Sequence, residues 1–144
     1  MTVDICAEPF DPWSQLQTYQ QQAEFAGQCG AMSVFVGTMR DSNEGAQVTA
    51  MYLEHYPAMT GKYLETLAAE AVRRWSLLDI LIVHRVGDIR VDDPIVLVAV
   101  WSIHRKAAFE ACRHVMEELK SNAPFWKKEQ LENGSRWVEG NTPG

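Results

Sequence analysis

Apolar and polar positions follow one another along this chain in two rhythms, one of helical period and one of period two. In DPWSQLQTYQQQAEFAGQCG the spacing predicts an amphipathic helix, with Asp11 as N-cap, Pro12 at the first helical position and Gly27 or Gly30 ending it. AMSVFVGTM predicts a strand that ends at Gly37 and leads to Arg40, and RDSNEGAQ is loop by composition. VTAMYLEHY alternates, with Tyr52, Glu54 and Tyr56 on one face and Met51, Leu53 and His55 on the other. PAMTGKYLETLAAEAVRRW reads as a second helix, LLDILIVHRVGDI as a strand and VDDP as a turn. PIVLVAVWSI is nearly all apolar, which predicts a central strand buried on both sides. HRKAAFEACRHVMEELKSNA is a third helix, and FWKKEQL and SRWVEG form a closing hairpin around ENGS.

The predicted order is α-β-β-α-β-β-α-β-β. It lacks the regular βαβ alternation of a doubly wound sheet, and its paired strands imply antiparallel sheets, hence an α+β fold. A split βαβ arrangement of ferredoxin-like type is the generic expectation. No repeat or linker divides the chain, so residues 1–144 are expected to form one domain, with an N-terminal helix region over 1–29 and a flexible tail over 140–144.

Composition narrows the function. The net charge is -6, which argues against a general affinity for nucleic acid or an anionic membrane. Residues 1–39 contain neither Lys nor Arg, so a secretory signal with a basic n-region and an Arg-rich transit peptide are not expected, and the chain reads as soluble and cytoplasmic. Cys6, Cys29 and Cys112 are odd in number and far apart, which supports neither a disulfide framework nor a zinc ribbon. The histidines show no metal-binding spacing, so no metal is expected.

Charge distribution says more than the sum. Seven of the 13 basic residues fall between 104 and 136, a local cationic site on an acidic body, which suits a small anion better than a polymer. In LKSNAPFWKKE no acid separates Lys120 from Lys128. At about 100° per residue Lys120 lies just past the apolar arc of the third helix, its stem sheltered and its ammonium at a rim. Pro124 ends the helix, and Phe125 and Trp126 are expected to bury their rings and fix the strand that follows. Successive side chains of that strand face opposite ways, so one of Lys127 and Lys128 can face Lys120 while the other faces solvent. Two nearby ammonium groups depress each other's pKa and call for an anion between them. His104 and Arg105 at a helix start form a second candidate anion site, and Arg40 after its strand a third. His84-Arg85 reads as a satisfied packing pair.

Taken together, FVGTMR, LEHYPAMT, HRVGD, IHRKAAFEA, LKSNAPFWKKE and RWVE resemble the large, catalytic subunit of molybdopterin synthase, over residues 30–139. The resemblance implies an α+β fold with an α/β hammerhead portion, in place of the ferredoxin-like expectation. It implies a sulfurtransferase that converts cyclic pyranopterin monophosphate to molybdopterin in molybdenum cofactor biosynthesis, with no cofactor of its own. The sulfur comes from the C-terminal Gly-Gly thiocarboxylate of a small ubiquitin-like partner, in a heterotetramer built on a large-subunit homodimer. By matching position Lys120 and Lys127 are the expected catalytic lysines. Arg40, His104 and Arg105 hold the substrate's phosphate and pterin, with His104 and Arg105 reaching in from the neighbouring protomer. Thr38, Met39, Lys128 and Glu129 complete the expected substrate-binding set, although many relatives carry a basic residue where this chain has Thr38. The competing reading is a non-catalytic module that docks a Gly-Gly tail or a phosphate ligand.

Overall fold

The computed structural model describes residues 1–138; the tail expected over 140–144 and the end of the RWVE motif lie outside them. The elements, in chain order, are β1 (Thr2–Cys6), α1 (Pro12–Gln22), β2 (Ala31–Thr38), β3 (Ser42–Asn43), β4 (Ala46–His55), α2 (Pro57–Trp75), β5 (Asp79–Arg85), β6 (Gly87–Arg90), β7 (Pro94–Ser102), α3 (Arg105–Ser121), β8 (Phe125–Leu131) and β9 (Gly134–Val138). The α+β class expected from the pattern is what the chain forms.

Two sheets organise it. The first has the order β1-β5-β7-β2, with β7 antiparallel to both neighbours and β1 parallel to β5. As the apolar run implied, β7 is central, and Val96 to Ser102 are all buried. The second runs β3-β4-β8-β9, with β6 on the other side of β4. The split βαβ is present as β2-α2-β5 with β7 inserted between its strands. The ferredoxin-like expectation fails at the last step, because β8 leaves the first sheet to pair with β4.

Packing follows the two periods. One face of the first sheet (Ile80, Ile82, Val96, Val98, Val100) packs on Leu64, Leu67 and Ala71 of α2 and on Ala111, Val115 and Leu119 of α3. The other face gathers around Trp101, covered by Leu16 and Tyr19 of α1 and by Phe25. A third cluster (Met39, Val48, Met51, Leu53, Val86, Ile89) lies under the second sheet. Among the described residues no helix is long and apolar enough to cross a membrane.

Local chemistry explains where the elements differ from the pattern. Asp11 does cap α1, its carboxylate accepting from the Trp13 and Ser14 amides at 3.0 and 3.4 Å. The helix nevertheless ends at Gln22, because Phe25 must leave the axis to reach Trp101, and the chain reverses through Ala26 and Gly27 at φ +50° and +77°. The N-terminal region also holds a strand, β1, whose short run TVDIC carries too little period to declare itself. The predicted loop 40–47 contains a tight hairpin with Glu44 and Gly45 both left-handed at its tip. LLDILIVHRVGDI is two strands in different sheets, split at Gly87, where φ is +82°. Of the aromatic wedge only Phe125 goes inward; Trp126 is 42% exposed and meets Tyr56 edge-on.

Candidate active site

The end of α3 and the start of β8 meet at an angle fixed by backbone. Asn122 terminates α3, its amide still bonded to the Glu118 carbonyl, and the Phe125 amide turns back to the Ala123 carbonyl at 2.8 Å. From there β8 pairs with β4 in the register Lys127↔Leu53. Alternation along β8 directs Phe125, Lys127, Glu129 and Leu131 inward and leaves Trp126, Lys128 and Gln130 exposed. Lys127 thus approaches Lys120 from across the angle, and both side chains are part-buried.

Two hollows share this pair of lysines. One, of about 470 Å³, is walled mainly by apolar groups, among them Leu53, Met116, Leu119, Phe125 and Trp137, together with His84. The other, of about 500 Å³, mixes apolar side chains such as Phe35, Val48 and Met51 with polar ones and runs under the 40–46 hairpin past Thr38, Arg40, Asn43 and Glu129. Lys120, Lys127, Ile95, Val96 and Val138 line both. The two hollows therefore meet at the ammonium groups.

The electrostatics are unusual. Among the described residues no carboxylate is paired with either lysine. Burial lowers the Lys127 pKa to about 8; the charge of Lys120 and direct contact with it push the same way, as does Arg40, and only Glu129 opposes them. Glu129 itself is spoken for. Only 6% exposed, it accepts from Arg136 Nε at 3.0 Å and from Asn43 Nδ2 at 3.1 Å. Arg136 also donates to the Asn43 carbonyl at 2.9 Å, so β8, β9 and the 40–46 hairpin are clamped together through one buried carboxylate.

The other expected site residues divide. Arg40 and Thr38 are exposed along the second hollow, and Met39, 4% exposed, is chiefly a core residue forming its floor. Lys128 points to the opposite face of the second sheet, with its Nζ 5.6 Å from the Trp137 ring centroid, in a row with Tyr52. His104 is the N-cap of α3 without a side-chain capping bond, and both it and Arg105 are exposed. At about 1.5 Å per residue Arg105 stands roughly 22 Å along the axis from Lys120. One chain does not bring them together.

His84 and Arg136 are the residues that the sequence pattern did not assign to the site. The period of β5 could have found the first, because His84 shares a face with Ile80 and Ile82, the face under α3. For Arg136 the signal is cross-strand: a Glu on the inward face of β8 needs a cation, and β9 supplies it directly opposite.

Comparison with known proteins bears on the same elements. The family model described as "MoaE protein" matches residues 5–122. A molybdopterin synthase catalytic subunit of Ralstonia nicotianae is 55% identical over 112 residues, which are 78% of this chain and 64% of that one, so the match spans just under two thirds of the relative. One from Pseudomonas aeruginosa is 49% identical over 97% of this chain and 91% of its own length. Among solved structures, a protein-protein complex of subunits 1 and 2 of molybdopterin-converting factor from Helicobacter pylori superposes with a TM-score of 0.79 at 25% identity, covering 95% of this chain and 90% of that chain.

Proposed function

The chain belongs to the MoaE protein family, and from that premise we propose that it is the catalytic subunit of a molybdopterin synthase. In this reading it acts in the cytoplasm, in a heterotetramer built on its own homodimer, and takes sulfur from the Gly-Gly thiocarboxylate of a small ubiquitin-like subunit. The acceptor is cyclic pyranopterin monophosphate and the product is the dithiolene of molybdopterin. The observation that carries the reading is the unneutralised pair Lys120 and Lys127 at the junction of two hollows, one of which is edged by Arg40.

Both reactants are anions, and their mutual repulsion opposes approach. Fixed cations in a partly dehydrated site offset it, because electrostatic terms there exceed those in water. The hollow lined by Leu53, Met116, Leu119 and Phe125 suits an extended tail. The other, edged by Arg40, suits a phosphate. Lys120 stabilises the tetrahedral adduct at the tail's carbonyl or moves a proton there, and Lys127, with a pKa near 8, supports the phosphate as sulfur adds. His104 and Arg105 act in the neighbouring protomer's site, since the length of α3 keeps them from their own. Glu129 orders the Arg40 hairpin rather than touching substrate, and Lys128, on the far face, has no direct part in the chemistry.

Single-turnover conversion of the cyclic phosphate with thiocarboxylated partner tests this. Dithiolene product from wild type, lost in Lys120→Ala and Lys127→Ala proteins that still bind the partner, is the expected result. A folded, partner-bound wild type that makes no product would leave a docking module and end the synthase reading.

A further inference from the structure

The hollow lined by Leu119 and Phe125, beside the lysines, holds an imidazole in a defined state. His84 is 7% exposed, and its ring stacks on Phe125 with centroids 4.0 Å apart and planes at 15°. Its Nδ1 lies 2.8 Å from the Arg85 carbonyl oxygen. A carbonyl only accepts, so Nδ1 carries the proton and Nε2 carries a lone pair. Among the described side chains lining this hollow there is no carboxylate, and the two indoles can only donate. Of the other lining side chains only Ser121, at the exposed rim, has an oxygen lone pair, and the Met116 thioether is a weak acceptor. The enclosed part of the hollow therefore offers two ammonium donors and a single strong side-chain acceptor.

The groups around His84 keep it neutral. Burial is the largest influence, and the charges of Lys120 on α3, Lys127 on β8 and His55 on β4 act in the same direction, holding its pKa to about 4. From β1 the Cys6 thiol is directed at the His84 carbonyl rather than the ring, and the neighbouring Arg85 guanidinium is turned away to the Ala7 and Asp88 carbonyls and Asp93.

We propose that His84 is a positioning residue for the lysine pair: its Nε2 accepts a hydrogen bond from one of the two ammonium groups and directs that ammonium at the anion bound between them. A neutral acceptor suits the task. A carboxylate in its place would pair with the ammonium and compete with the anionic reactants, whereas imidazole fixes direction and leaves the charge available. The inference rests on the synthase reading and adds a residue to it.

The test compares wild type with His84→Asn, which keeps a donor near Nδ1 but removes the Nε2 acceptor, and with His84→Gln, which returns an acceptor near Nε2. In the single-turnover assay the Asn protein is expected to lose about 10- to 100-fold in rate, as misdirection of one charged group predicts, with partner binding unchanged. The Gln protein is expected to recover most of it. Equal losses in both would mark a structural role, and an unimpaired Asn protein would mark no role; either overturns the proposal. An inactive wild type is a different outcome, because it removes the synthase reading itself. Nitrogen-15 spectra of the wild-type imidazole serve as a check independent of folding in the variants. A proton on Nδ1 and a bare Nε2 are expected between pH 6 and 8, and a proton on Nε2 overturns the proposal.

Discussion

Lys127 faces Lys120 across the angle between β8 and α3, and no described carboxylate pairs with either. Such a contact opposes folding, and its sign can be followed through pH. With a folded pKa of about 8 against an ordinary 10.5, Lys127 is protonated in both states below pH 8, and the penalty there is complete. Between 8 and 10.5 the unfolded chain holds a proton that the folded one has released, so this contribution to stability rises with pH. Lys127→Met is therefore expected to stabilise the unliganded protein at pH 7 by about 1 to 3 kcal/mol while abolishing turnover. Denaturant melts at pH 7 and pH 10 check it: the gap between variant and wild type should shrink at the higher pH. A variant no more stable than wild type at pH 7 would mean that the lysine is not under strain.

The same group links anion binding to protons. A bound phosphate favours the charged form of Lys127, so binding above pH 8 must take up a proton, and affinity should fall by up to about tenfold per unit between pH 8 and 10. Calorimetry with cyclic pyranopterin monophosphate in two buffers of different ionisation enthalpy measures the uptake. Approach to one proton per site at pH 9 is expected, absent in Lys127→Met. Uptake that persists in the variant would assign the linkage to another group.

Much of this was legible in the chain, and the missing parts share a cause. The alternation in VTAMYLEHY and the apolar run of β7 report burial directly, and the lysine spacing around APFWKKE put one ammonium inward as the strand period requires. What the pattern could not report depends on partners distant in sequence. β1 is a strand because β5 lies beside it, α1 stops because Trp101 attracts Phe25, and β8 changes sheets because β4 offers an edge. Glu129 became a clamp only once Arg136 and Asn43 were placed against it. His104 and Arg105 are separated from the lysines by a rigid helix, a distance that spacing along the chain implies only when the helix is known to be unbroken.

Removing one member of the clamp has a calculable effect. Arg136→Ala would leave the carboxylate of Glu129 buried without its cation, which costs about 3 kcal/mol, the low end for broken buried pairs because Arg136 is itself part-exposed. Because Arg136 also holds the Asn43 carbonyl, the 40–46 hairpin that carries Arg40 should loosen. We expect a raised KM for the phosphate substrate and faster amide exchange over 41–47, with kcat changed less. Combining Arg136→Ala with Glu129→Gln should recover part of the stability but not the KM. Full recovery of both by the double variant would show that the clamp has no bearing on the hairpin.

Two glycines provide a contrast in which local space alone decides the sign. A Cβ on Gly30 would collide with the backbone carbonyl of Ile103, and the Gly30 amide donates to the Ser102 carbonyl at 3.0 Å, so neither backbone segment can move away alone. Gly30→Ala should destabilise by more than about 2 kcal/mol, the scale at which steric strain enters single substitutions. It should also disturb the entry to α3 that presents His104 and Arg105, so that any activity depending on those two residues falls in the surviving folded fraction. Gly61 lies within α2 with nothing within 4 Å of an added Cβ. There Ala lowers the entropy of the unfolded chain and favours the helix, so Gly61→Ala should gain about 0.5 to 1 kcal/mol. Chemical denaturation of the two variants beside wild type measures both shifts, and a Gly30→Ala protein as stable as wild type would refute the close approach between the start of β2 and the end of β7.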